Sequence, residues 1–187
     1  MTDGNEAATG IADEFGHAQR AAAAPQAGVR YHHVTTAAEV LRLMDIAKQY
    51  HIESRYAEVP FSERKFTTTY ARMVRSKNTL SVTAELNGRP VGLMGAKVGE
   101  YFLGEGWRIA TNYIFYVSPD VRGTFVGGRI AVKLLRIFVE WAHAVGANEI
   151  NMHAVSGIDP AKTDKFLRNA GFQPYGGNYA RQLENGR

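Results

Sequence analysis

Ile109-Ala110-Thr111-Asn112-Tyr113-Ile114-Phe115-Tyr116-Val117 runs into Ser118-Pro119-Asp120, which leads to Arg122-Gly123-Thr124-Phe125-Val126-Gly127-Gly128 and a helical repeat that reaches Trp141. The first segment is almost unbroken apolar and aromatic sequence, the pattern of a strand buried on both faces. Pro119 has no amide proton for a ladder and holds Ser118 extended, so the strand must end or splay there. Three glycines in the seven residues from Arg122 to Gly128 then precede a helix expected over about Gly128 to Val145. Arg129, Lys133, Arg136, Glu140 and His143 draw one solvated stripe on it, and Ile130, Leu134, Ile137, Phe138, Trp141 and Val145 draw the opposite, core-facing one. A helix whose first amides leave a glycine loop presents unpaired N–H donors and a positive dipole end, which together attract an anion such as a phosphate. Arg122 and Arg129 add formal charge at the same spot.

A chain of 187 residues with 45% hydrophobic and 21% charged content makes one domain with a proper core. The chain has no cysteine, which excludes disulfides, thiolate metal sites and cysteine nucleophiles. Its start, Met1-Thr2-Asp3-Gly4-Asn5-Glu6, is acidic where a signal peptide is basic, and no apolar run approaches the ~20 residues of a membrane span. A cytoplasmic protein with no membrane partner is expected. The net charge of +4 is uneven: residues 1–28 carry −3 and the remainder +7. A basic body suits a phosphate-bearing cofactor or an acidic partner. No dense Lys/Arg run with interleaved aromatics points to nucleic acid.

Residues 1–28 are rich in Ala and Gly and read as a flexible tail, with Ile11, Phe15 and Ala18 on one helical face able to dock on a protein partner. Residues 29–187 then form the folded domain. Arg30 to Thr35 reads as a strand, and Thr36 with Glu39 is a capping box opening a helix through Leu41, Met44 and Ala47. A loop from His51 to Pro60 follows, and Ser62 caps a helix burying Phe66, Tyr70, Met73 and Val74. Thr79 to Leu86 and Pro90 to Val98 are strands joined by Asn87-Gly88, a strong hairpin signal. Past the glycine loop and its helix, Glu149 to Val155 is a short strand. Asp159-Pro160 opens a helix that Gly171 ends, and Phe172 to Tyr175 and Tyr179 to Leu183 read as closing strands.

Val117-Ser118-Pro119-Asp120-Val121-Arg122-Gly123 resembles the entry to the pyrophosphate loop of the GNAT family of N-acetyltransferases. Arg122 and Gly127 stand at the first and last positions of the loop motif, with Phe125 where the family has glycine. The resemblance covers roughly Val29 to Leu183. It implies an α/β (α+β) fold with a mixed, mostly antiparallel central sheet, helices on both faces and a splay after the central strand. It also implies acetyl-CoA as cofactor, bound by Val117, Arg122, Gly123, Thr124, Phe125, Val126, Gly127, Gly128 and Arg129, and a small-molecule or peptide amine as acceptor. Self-association is compatible with it.

Acetyl transfer needs a held thioester, a polarised carbonyl, a base for the amine and an acid for the leaving thiolate. A backbone N–H near Val117 can meet the thioester oxygen. The family's usual tyrosine acid, four residues before Gly171-Phe172, is here Leu167, which has no proton to give. The central strand offers no carboxylate between Ile109 and Val117. His153, whose imidazole can accept and release a proton, and Tyr116 are therefore the catalytic candidates, beside Tyr175 as a further acid. Glu53 and Glu58, in the loop that borders the acceptor in this family, read as surface charges. Two readings follow: an N-acetyltransferase for an unidentified primary amine, or a GNAT-fold structural or binding protein with weak or lost catalysis. The second accords with a further resemblance, to acetyltransferase-like proteins of tailed bacteriophages, through Val117 to Gly123, Phe138-Val139-Glu140-Trp141-Ala142 and Ser156 to Phe172. That resemblance implies a virion-associated location.

Overall fold

The computed structural model describes residues 28–154, 156–177 and 179–181. Its elements are β1 (Arg30–His33), α1 (Ala37–Arg42), α2 (Met44–Glu53), α3 (Glu63–Met73), β2 (Thr79–Leu86), β3 (Arg89–Glu100), β4 (Arg108–Val117), α4 (Phe125–Ala144), β5 (Glu149–Asn151) and α5 (Pro160–Asn169). The strands form one sheet in the order β1-β2-β3-β4-β5. Every neighbouring pair is antiparallel except β4 with β5, which is parallel.

The turn chemistry explains the register. Asn87 and Gly88 both take positive φ, at 54° and 77°, the left-handed pair that a tight hairpin needs between twisted strands. The Thr36 capping box is present in both halves. The helix it opens breaks at Leu43 (φ −88°, ψ 0°), giving two helices where the periodicity suggests one. Both flanks stay apolar inward, with Val40, Leu43, Ile46 and Ala47 buried, so the pattern alone does not register the kink. The second of these helices runs on to Glu53, so the loop expected from His51 begins three residues later.

Two cores lie on the two faces of the sheet. Against α4 pack Leu80, Val82, Ala84, Met94 and Ala96 with Ile130, Leu134 and Phe138. Against α1, α2 and α3 pack Leu93, Ile114 and Tyr116 with Val34, Leu43, Ile46 and Tyr70. Gly92 admits α4, since a Cβ there would stand 2.7 Å from Ile130 Cγ2.

The register between β3 and β4 slips at Gly95/Ala96, a bulge that leaves Tyr113 unopposed and turns both Tyr113 and Ile114 toward the second core. A Cβ on Gly95 would lie 2.6 Å from Tyr113 Cζ and 2.7 Å from Ile114 Cγ2. Gly95→Val should therefore lower stability by about 2–3 kcal/mol in urea unfolding, the cost of overpacking at a site walled by two large side chains. A variant as stable as the parent would show that the bulge is not fixed by this glycine.

Two sequence expectations give way at the C-terminal end. Residues 172–177 and 179–181 form no strand, while Gln182 and Leu183 lie outside the described residues. Pro174 cannot supply a ladder N–H. Tyr175 instead ties itself to β5 by side chains, its hydroxyl donating to Asn151 Oδ1 and to Glu149 Oε1. The strand expected over Glu149 to Val155 stops at Asn151, and Val155 is outside the described residues, as are residues 1–27. Among the described residues no helix is long and apolar enough to cross a membrane.

Candidate active site

β4 and β5 pair only through Ile109–Glu149, Ala110–Ile150 and Thr111–Asn151, and then part. Asn112 holds the first rung of the opening. Its side chain, on a residue only 5% exposed, accepts from the His153 amide at 2.6 Å and donates to the His153 carbonyl at 3.2 Å, replacing the ladder bonds a straight strand would make. The opening leads into a cavity of about 650 Å³. Gly123, Gly127, Gly128, Phe115 and Leu167 line it on the α4 and α5 side of the sheet, and Tyr50, Lys97, Tyr113 and Tyr116 on the α2 and α3 side. It thus passes through the sheet at the splay.

The glycine loop closes more tightly than the sequence suggests. Thr124 is the N-cap of α4 and its hydroxyl accepts from the Gly127 amide at 3.1 Å, so the helix begins one turn before Gly128. Gly127 packs onto the loop, where an added Cβ would stand 2.7 Å from the Val121 carbonyl carbon, whereas Gly128 faces open space. Of the residues expected to hold the cofactor, Val117, Arg122, Gly123, Gly127 and Gly128 line the cavity. Thr124, Phe125, Val126 and Arg129 belong to the same helix start but are not on its wall. Phe125 is 80% exposed, with the Arg129 guanidinium 5.8 Å from its ring centre. The side chain standing in place of the family glycine therefore points to solvent.

Arg122 turns inward. Its Nε and Nη2 donate to the Val117 carbonyl at 3.0 and 2.8 Å, and its Nη1 to Glu53 Oε2 at 2.7 Å. The other Glu53 oxygen accepts from the Tyr116 hydroxyl, and the guanidinium stacks 5.3 Å from the Tyr116 ring centre. Glu53, read from sequence as a surface charge, is half-buried and ties α2 to the end of β4, whereas Glu58 is exposed. Tyr116 is 3% exposed, and burial, together with the Glu53 carboxylate that accepts its hydrogen bond, pushes its phenol well above the usual tyrosine range. Such a hydroxyl is a poor proton donor at neutral pH. His153 is exposed on the cavity wall, its backbone clamped by Asn112 and its ring free to meet solvent.

The backbone supplies a further donor. Ser118 N–H is spent on the Val91 carbonyl at 2.9 Å. Amides alternate sides along a strand, so the Val117 N–H, in the non-hydrogen-bonded pair with Gly92, faces the splay.

Two wall residues were not legible as site residues. Asp159 caps α5 from a left-handed conformation (φ 41°) that is costly for a non-glycine residue, and its carboxyl is held below its ordinary value by hydrogen bonds from Lys162. A polar Asn112 inside an apolar strand was the one signal the sequence did offer for the clamp.

No protein-family model matches the chain, and no curated protein matches it. Solved structures do. The fold is similar to a transcriptional regulator from Bacillus halodurans C-125, at TM-score 0.65 and 16% identity over 83% of this chain and 100% of that one. It is also similar to AAC(6')-Iy in complex with the bisubstrate analogue CoA-S-monomethyl-acetylneamine, at TM-score 0.64 and 12% identity over 83% and 99%. A third is the ribosomal-protein-alanine N-acetyltransferase from Brucella melitensis biovar Abortus 2308, at TM-score 0.60 and 14% identity over 83% and 99%. At these identities the likeness is one of fold, and the fold is the GNAT fold. None of these three is described as a phage protein.

Proposed function

We propose that the chain is an acetyl-CoA-dependent N-acetyltransferase acting on a primary amine. The observation that carries the reading is the cavity through the splay, with a glycine-built helix start on one face of the sheet and a tyrosine-lined chamber on the other. A diphosphate fits the first: Gly127 brings the helix start against the loop, Gly128 leaves space beside it, and the Phe125 and Val126 amides have no partner within the helix. AAC(6')-Iy, a structure of the same fold in complex with a bisubstrate analogue that contains CoA, supports a site in which cofactor and acceptor meet.

Acetyl-CoA supplies the acyl thioester. The Val117 N–H, facing the splay, polarises its oxygen without help from a side chain. Holding the amine in line supplies much of the remaining effect. His153 takes the amine proton and passes it to solvent. Leu167 has no proton for the thiolate, and the Tyr116 proton is committed to Glu53, so that proton comes from water. The same two facts favour the second reading, a GNAT-fold binding protein without turnover.

Calorimetry with acetyl-CoA, followed by thiol release over a panel of amines, separates the two. Binding with release on at least one amine is the expected result. Binding with silence on every amine would select the binding protein, and no binding at millimolar acetyl-CoA would sink both.

A further inference from the structure

The titratable groups on the cavity wall, tyrosines aside, are Lys97, Arg122, His153, Asp159 and Lys162. Both carboxylates in this region are already matched. Asp159 Oδ2 lies 2.6 Å from Lys162 Nζ, and Glu53, behind Tyr116, lies 2.7 Å from Arg122. Lys97 has no carboxylate within ion-pair distance among the described residues. Arg122 and Lys162 are thus matched by Glu53 and Asp159. Lys97 is not, and it lies on the other face. Its neighbour Ala96 packs on the α4 side, so β-alternation sends Lys97 to the tyrosine side, opposite Thr111 at the foot of the splay.

We infer that the acceptor is a primary amine that also carries a carboxylate on an apolar or aromatic body, with Lys97 as the counter-ion of that carboxylate. The inference rests on the acetyltransferase reading and names its substrate class. Tyr50, Tyr113 and Tyr116 offer the body an aromatic wall, and among the described residues that line the cavity Lys97 is the ammonium left without a carboxylate. A polycation such as an aminoglycoside meets the reverse situation, since the carboxylates at the cavity, Glu53 and Asp159, are held by Arg122 and Lys162, and its charges add to an already positive wall.

L-phenylalanine and phenethylamine share ring, spacer and amine and differ by the carboxylate, so they read this point directly. With the full chain and saturating acetyl-CoA, thiol release should favour L-phenylalanine over phenethylamine and over kanamycin by about tenfold or more in kcat/KM. In Lys97→Met the ratio of the first two should fall by about that factor, and in Lys97→Glu further still. The amines differ in basicity, but that difference is common to parent and variants, so the change in ratio reads Lys97 alone. A parent that prefers phenethylamine or kanamycin, or a ratio that Lys97 substitution leaves unmoved, would overturn the inference while leaving acetyl transfer intact. So would a protein that binds acetyl-CoA by calorimetry but neither acetylates nor binds L-phenylalanine. Failure to bind acetyl-CoA sinks the acetyltransferase reading itself and is a different result.

Discussion

Gly127→Ala is expected to abolish acetyl-CoA binding, with a loss of about 100-fold or more in affinity, and to destabilise the fold by about 2–4 kcal/mol. The new Cβ would stand 2.7 Å from the Val121 carbonyl carbon and 3.2 Å from Arg122 Cα. These are backbone atoms, which cannot rotate away as a side-chain tip does. The loop and the first turn of α4 must then separate, and the Thr124 cap on the Gly127 amide goes with them. Gly128→Ala is the control that makes the result informative. That position meets no atom within 4 Å, so the substitution should raise the melting temperature through helix propensity worth about 0.5–1 kcal/mol. Because Gly128 also lines the cavity, its methyl should still weaken acetyl-CoA. Calorimetry and thermal unfolding on the two variants check both halves. Parent-like binding in both would place the phosphates elsewhere.

This pair of glycines shows where sequence reasoning reached and where it stopped. The run Arg122 to Gly128 announces a loop that exposes its backbone, but composition cannot say which glycine is buried against the loop and which is open. That depends on where Thr124 starts the helix. Local chemistry was legible: the hairpin at Asn87-Gly88, the Thr36 box and the Asp159-Pro160 start all formed, because each is decided by a few adjacent residues. What depended on distant partners was not. Glu53 meets Tyr116 and Arg122 across separations of 63 and 69 residues, and no spacing rule connects them. The first closing strand failed for a local and a distant reason: Pro174 interrupts any ladder, and Tyr175 bonds to β5 by its hydroxyl instead.

Alkali should unfold this protein earlier than its composition suggests, through the tyrosines behind the cavity. Burial pushes Tyr70 up to about 12, and burial also pushes Tyr113 far above its usual range, with Tyr70 beside it adding to the shift. The Tyr70 hydroxyl lies 3.0 Å from Ser81 Oγ, and Tyr113 donates to the Leu80 carbonyl at 3.2 Å. In the unfolded chain both phenols ionise near pH 10. Between that pH and the folded values the unfolded state holds fewer protons, so stability is fully present below about pH 10 and is lost as pH rises. Each phenol contributes a slope of about 1.4 kcal/mol per pH unit, and two that share a site release their protons as a pair. Urea unfolding at pH 8, 10 and 11 should therefore show a midpoint that holds to pH 10 and then drops. Tyr113→Phe should cost about 0.5–1.5 kcal/mol at pH 8, the worth of one hydrogen bond. Above pH 10 it should fall less steeply than the parent and close that gap. Parallel curves for the two proteins across pH 10 to 11 would mean that Tyr113 ionises no later in the folded state than in the unfolded chain, and that the chamber wall beside Lys97 is wetter than its packing implies.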